Sequence, residues 1–216
     1  KIISGEYVWC QGYSEPDAGS DLGGLGCSAE LDGDEWIING QKIWTSAGQF
    51  ANWIFVLCRT NKDAPKHKGI SFLLCEVDQP GIEMRPIKML SGESDFNETF
   101  FTNARTAKEN VVGEVNGGWA VAMTLLGYER GESAATMPIM FRHEVDKLLE
   151  LAKEKKLSTD PTIRQRLAQI HIEVELMRLL GMRTLTGFLK GRQPGPQESA
   201  FKLYWSEYHK RVTELS

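Results

Sequence analysis

Long apolar runs, clustered basic residues, paired cysteines and metal-ligand spacings are all scarce in this 216-residue sequence, and each shortage removes a class of function. No apolar stretch approaches the ~20 residues that a membrane-spanning helix needs, so no membrane partner is expected. The formal net charge is -4 and Lys and Arg are scattered, which leaves no electrostatic case for nucleic acid. The four cysteines, Cys10, Cys27, Cys58 and Cys75, lie far apart and form no CxxC pair, so no zinc site is expected. They read as buried free thiols of a reducing compartment, hence a cytoplasmic protein. His67, His143, His171 and His209 stand on separate segments and make no ligand set, so no metal is expected. Internal repeats and low-complexity tracts are absent. No signal peptide is visible, and the chain starts on Lys1 rather than Met, as a fragment or processed chain would.

What is present falls into two halves with different periods. Up to about Asn110, short apolar runs alternate with turn signals. "EYVWCQGY", "NWIFVLCRT", "GISFLLCEV", "IEMRPIKM" and "NETFFTNAR" read as strands, rich in branched and aromatic residues. "CSAELDGDEWIINGQKIWTS" adds two more and carries two hairpin signals, Asp32-Gly33 and Asn39-Gly40, where Gly accepts the positive φ of a tight turn. About seven strands joined by short turns predict an antiparallel barrel or sandwich over 1–110.

From 111 to 216 the period is helical. A first helix is predicted from about Asn116 towards Lys155, with Pro138 kinking it or marking a step. Asp160-Pro161 reads as an N-cap with Pro in the first turn. Ile163, Leu167, Ile170, Val174 and Met177 then recur every three or four residues as one buried face. After a break at Gly191 to Pro196, a third helix carries Phe201, Tyr204, Tyr208, Val212 and Leu215 on one side. No further element remains to cover that stripe, so more chain or another subunit is expected there. The fold class is therefore α+β, an antiparallel β-barrel or sandwich followed by long antiparallel helices.

Three ordered motifs narrow the function: "YSEPDAGSDL", then "INGQKIWTSAGQFANWIFVLCRT", then "NGGWAVAMTLLGYERG". Together they resemble the acyl-CoA dehydrogenase family, whose middle β domain carries a Thr/Ser-Glu-Pro-x-x-Gly-Ser-Asp loop followed by an Asn-Gly-x-Lys-x-Trp-x-Ser/Thr strand. The match is strong from Tyr7 to about Arg130 and softer to Ser216. A full family member also has a helical N-terminal domain and further C-terminal helices, so the resemblance implies a truncated fold of this kind. Taken singly, a Ser-Glu-Pro-Asp run is a solvated turn and a lone Trp belongs in a core; the ordered pair of motifs carries the reading.

The resemblance implies FAD and an acyl-CoA substrate. The backbone at Tyr13 and the Ser14 hydroxyl would face the pyrimidine edge of the flavin, with Gln11 on the same strand end. Trp44 would lie against the ring and Ser46 near its N5, while strand alternation turns Thr45 away from both. Pro16 would fix the turn, Gly19 would let the backbone approach closely, and Ser20 would contact the acyl-CoA. Trp36 and Trp53 are expected in the core. Asp95 and Glu98 sit in "SDFNETFF", a β segment that lies near the substrate in relatives, and Phe96 and Asn97 are candidates to line that pocket, with a solvated loop as the other reading.

The reaction so implied is α,β-dehydrogenation of an acyl-CoA thioester, as in fatty-acid β-oxidation. A base takes the α-proton while the β-hydride passes to the flavin, and electrons go on to an electron-transfer flavoprotein. Carboxylates made more basic by apolar surroundings suit the weakly acidic α-proton. In "LGYERG", Glu129 matches the base position that the family uses on the helix after the β domain, with Arg130 orienting base or substrate. Trp119, Ala122, Leu126, Glu129, Ser133 and Met137 share one helical stripe, and Glu132 falls off it. An ion pair of Glu129 with an arginine is the other reading of that carboxylate.

The Arg-x-x-Phe-Gly segment that many relatives use on a neighbour's FAD is absent from "EKKLSTDPTIRQRLAQIHIEVE"; Arg164 and Arg166 are its only local substitutes. "RQPGPQESAFKLYWSEYHKRVTEL" resembles a bacterial branch tied to bulky acyl chains and, in some members, mixed-subunit tetramers. A homo- or hetero-oligomer, dimer or tetramer, is therefore expected. An acyl-CoA oxidase, a flavin monooxygenase and a non-catalytic subunit of a heteromer remain alternatives on the same fold.

Overall fold

The computed structural model describes the backbone of residues 1–192 and 196–216, and the side chains among these apart from 130–133 and 196–199. It divides into two compact units, Lys1–Met123 and Thr124–Ser216. The described residues of the first unit form seven strands: β1 (Trp9–Gly12), β2 (Ser28–Asp32), β3 (Glu35–Ser46), β4 (Trp53–Arg59), β5 (Ile70–Glu76), β6 (Ile82–Ile87) and β7 (Phe96–Ala107). They run in the order β1-β4-β2-β3-β7-β6, with β5 also on β4.

The sheet is mixed rather than purely antiparallel. β1 pairs with β4 in parallel, from Trp9 opposite Trp53 to Gly12 opposite Val56. Ser28 of β2 meets Arg59 of β4 in the same sense. Side-chain alternation is identical in both directions, so the pattern of a strand carries no information on its polarity. The β2–β3 hairpin turns at Gly33, φ 63°, as its Asp-Gly signal predicts. The second signal, Asn39-Gly40, makes no hairpin: both residues lie inside β3, where the pairing with β7 shifts register between Ile38 and Gly40. A Cβ on Gly40, φ 143°, would stand 2.7 Å from the Cys27 backbone, so this Gly serves a bulge with close strand approach. Asn39 accepts from Asn103 N–H at 2.8 Å and so ties the bulge to β7.

Cys10, Cys27, Cys58 and Cys75 are free and line the core beside Ile38, Ile54, Val56, Leu73 and Phe101. Burial pushes the Cys10 and Cys75 thiols up to about 12 and drives Cys58 well above its usual range. The Cys58 thiol, as a hydrogen-bond partner, holds Cys27 low.

Helix α1 (Gly118–Glu154) starts close to the predicted point and runs without interruption through Pro138. Helix α2 (Pro161–Leu189) is capped as predicted: the Asp160 carboxylate accepts from the N–H groups of Thr162 and Ile163 at 2.9 and 3.0 Å. Helix α3 is Pro196–Thr213. Within the second unit, Phe141, Val145, Leu167, Ile170, Val174, Met177, Phe201, Tyr208 and Val212 form one buried cluster. The stripe on α3 is therefore covered, contrary to the sequence expectation, because α1 and α2 supply the opposing surface. Among the described helices, α2 carries the largest group of exposed apolar side chains, with Ile172, Leu176, Leu179, Leu180, Leu185 and Leu189 exposed, and fewer lie on α1 and α3. Two apolar arcs on one helix hide the second arc from a reading that follows a single stripe. No described helix is long and apolar enough to cross a membrane.

Candidate functional site

The loop after β1 is held by a buried ion pair. Pro16 and Asp17 make a tight turn closed by Glu15 and Ala18, whose backbones exchange hydrogen bonds of 3.0 and 3.1 Å. The turn aims the Glu15 carboxylate inward, where its two oxygens accept from the N–H groups of Gly26 and Cys27 at 2.7 and 2.9 Å. Lys42 of β3, 0% exposed, donates to Glu15 at 2.8 Å and to the Tyr13 carbonyl at 3.0 Å. A lysine this deep is tolerable only because its charge is paired and its protons have acceptors.

β3 then departs from regular pleating. Its register with β7 slips between Lys42 and Thr45, leaving a bulge at Ile43 and Trp44. The freed Ile43 N–H donates to the Ser14 carbonyl at 2.9 Å. Lys42 and Ile43 thus tie Tyr13 and Ser14 directly to the bulge. Trp44 has φ 61°, a left-handed conformation that a bulky residue holds only under constraint. Its indole is 56% exposed and meets Phe96 edge-on at 6.0 Å. Ser46 is exposed, while Thr45 between them is wholly buried.

The structure therefore brings four sequence candidates, Tyr13, Ser14, Trp44 and Ser46, onto one local scaffold. The Tyr13 ring is buried and packs edge-on to Phe55 and Phe72 at 6.0 and 6.2 Å. Gln11 lies on β1 opposite Phe55, half-buried. Ser20 is exposed further along the loop. Trp36 is buried and Trp53 is half-buried. Asn97, a candidate pocket residue, lines no open surface: it is fully buried and donates to the Thr45 carbonyl at 3.0 Å. Glu98 accepts from Gln41 at 3.0 Å, and Asp95 is exposed. In the second unit, Glu129 stands exposed on α1, so the described residues of that unit do not wrap it in apolar surface. The side chains of Arg130, Glu132 and Ser133 lie outside the described residues. Arg164 and Arg166 are exposed near the start of α2.

Lys42 and Glu15 were missed as functional residues, although a signal existed. Trp36, Ile38, Gly40 and Lys42 share one strand parity, and Trp36 and Ile38 point inward. A lysine in that register needs a buried acidic partner, and the Ser-Glu-Pro-Asp turn offers Glu15 and Asp17.

The site also fits a flat aromatic group. A constrained, exposed indole beside exposed and half-buried hydroxyls offers one stacking surface and polar atoms at its rim.

Comparison with known proteins agrees with this architecture. Residues 10–104 match the family model "Acyl-CoA dehydrogenase, middle domain", and 116–216 match "Acyl-CoA dehydrogenase, C-terminal domain". The chain is 46% identical over 209 residues to acyl-CoA dehydrogenase IpdE1 of Mycobacterium tuberculosis, covering 97% of this chain and 54% of that protein. Among solved structures, the Tcur3481-Tcur3483 steroid ACAD superposes with a TM-score of 0.92 at 34% identity, covering 99% of this chain and 55% of that one. The ChsE4-ChsE5 complex from Mycobacterium tuberculosis gives a TM-score of 0.84 at 31% identity, covering 99% and 57%. The chain spans about half the length of these relatives. With both of its halves matched by that family's domains, this chain belongs to the acyl-CoA dehydrogenase family.

Proposed function

We propose that the protein to which this chain belongs is an FAD-dependent acyl-CoA dehydrogenase acting on a bulky acyl-CoA. The observation that carries the reading is the scaffold of Tyr13, Ser14, Trp44 and Ser46, locked by Lys42 and Glu15. Trp44 offers its indole face to an isoalloxazine ring, and Ser14 and Ser46 offer hydroxyls to its polar edge. Gln11 stands at the strand end nearby, and Ser20 is the acyl-CoA contact. A bound flavin supplies the hydride acceptor. Glu129 removes the α-proton, and Arg130 orients that base or the substrate. Electrons leave to an electron-transfer flavoprotein in this reading.

The name of one structural relative, a steroid ACAD, supports a ring-bearing acyl group. The exposed apolar residues of α2 support assembly with further subunits, since a stripe of this length is rarely left in water. A mixed-subunit assembly gains support from the two-component name of the ChsE4-ChsE5 complex.

The test is anaerobic addition of candidate acyl-CoA thioesters, straight-chain and steroid-derived, to the full-length protein with its partners. The flavin absorbance should bleach with the matching thioester. Glu129→Gln should slow bleaching at least about a hundredfold while leaving the flavin bound. Undiminished bleaching in that variant removes Glu129 from the chemistry. Peroxide release without an electron carrier would mark an oxidase instead.

A further inference from the structure

Trp44 and Ala47 both have left-handed backbones, φ 61° and 52°, and they bracket Thr45 and Ser46. Two such non-glycine residues so close together need an external constraint to keep their shape. The constraint comes from β7. Thr99 donates from its hydroxyl to the Thr45 hydroxyl at 2.9 Å. The Asn97 amide donates to the Thr45 carbonyl at 3.0 Å and to the Gln49 side-chain oxygen at 2.5 Å. Gln49 is itself oriented by donating to the Ser94 carbonyl at 2.9 Å. Two acceptors on one side fix which end of the Asn97 amide is nitrogen. The Asn97 oxygen has no hydrogen-bond partner among the described residues, so the amide is held through its nitrogen. The arch is also filled: a Cβ on Gly48 would stand 2.7 Å from the Met84 sulfur and 3.2 Å from the Asn97 nitrogen.

We infer that Asn97 is a positioning residue: by gripping Thr45 and Gln49 from beneath, it sets the arch that presents Trp44 and Ser46 to the flavin. This rests on the flavin reading above, but the grip on the arch can be measured without a flavin. Trp44 is read as the fluorescence difference between a protein and its Trp44→Phe counterpart, in flavin-free and flavin-loaded full-length protein. Asn97→Asp replaces the donor with an acceptor at constant shape. Gln49→Ala removes one contact at an exposed position and is the variant that decides if Asn97→Asp does not fold.

In both variants the anisotropy of the Trp44 difference signal should fall, more in Asn97→Asp. The loaded Asn97→Asp enzyme should lose about ten- to a hundredfold in kcat with KM within about twofold of the parent. A Trp44 signal unchanged from the parent in every folded variant overturns the inference, even if the flavin is bound. A parent protein that takes up no flavin, with the Trp44 signal still falling in the variants, sinks the flavin reading and leaves the grip of Asn97 on the arch intact.

Discussion

The two units bury different things. The β unit hides Lys42, Thr45, Ser71, Asn97 and Thr99 completely, whereas the helical unit has an almost wholly apolar interior and one buried charge, Glu173, among its described residues. The contrast reverses at the surface, where α2 leaves leucines exposed. Buried polar groups in the β unit hold loops and a bulge in shapes that pleating alone does not produce. The helical unit needs no such device, because helices satisfy their own backbone and pack by side-chain shape. One unit is shaped to present side chains, the other to present a face.

Several substitutions test whether this contrast is real. Lys42→Ala strands the Glu15 carboxylate and frees the Tyr13 carbonyl; it should lower the stability of the β unit by about 3–5 kcal/mol in urea unfolding. Gly40→Ala forces a Cβ against Cys27 in a left-handed backbone and should cost about 2–3 kcal/mol by the same assay. In the helical unit, Glu173 binds Arg211 at 3.0 and 3.2 Å and Gln169 at 2.9 Å. Arg211 is partly exposed and can turn to water, so Glu173→Ala should cost only about 1.5 kcal/mol. An equal loss for Lys42→Ala and Glu173→Ala would erase the distinction between the units.

Alkaline pH acts gradually rather than in one step. The buried Cys10 and Cys75 thiols keep their protons to about 12, against about 9 in the unfolded chain. Between those values the folded state binds more protons than the unfolded state, so stability falls as pH rises. Below about 9 the contribution is complete, and the slope above it approaches about 1.4 kcal/mol per pH unit for each thiol. Thermal midpoints of the β unit should therefore drop between about pH 9 and 12, and Cys10→Ala with Cys75→Ala should flatten the decline.

Legibility in the sequence followed the same divide. Helix positions, the Asp160 cap and the buried face from Ile163 to Met177 were readable because a 3.6-residue period and a cap are local signals. The number of strands was readable, but their polarity was not, since alternation looks the same in either direction. Asn39-Gly40 misled because a Gly that permits positive φ serves a bulge as well as a hairpin. Tyr13, Ser14, Trp44 and Ser46 came from resemblance to a family. The Lys42–Glu15 pair that joins them is a contact between residues 27 positions apart: strand parity marks Lys42 as inward, but no local pattern names its partner. The uncovered face was expected on the α3 stripe, which is buried, and most of the exposed apolar side chains of the helices lie on α2, because a stripe shows that a face is apolar and not which neighbour covers it.

The most direct test of the flavin platform is the visible absorbance of the full-length protein, purified with its partners and offered FAD, compared with that of its Lys42→Met variant. The account predicts a flavin spectrum in the parent and a weakened or lost one in the variant, in which the loop and the bulge are no longer tied. A colourless parent, or a variant that holds its flavin as tightly as the parent, would contradict it.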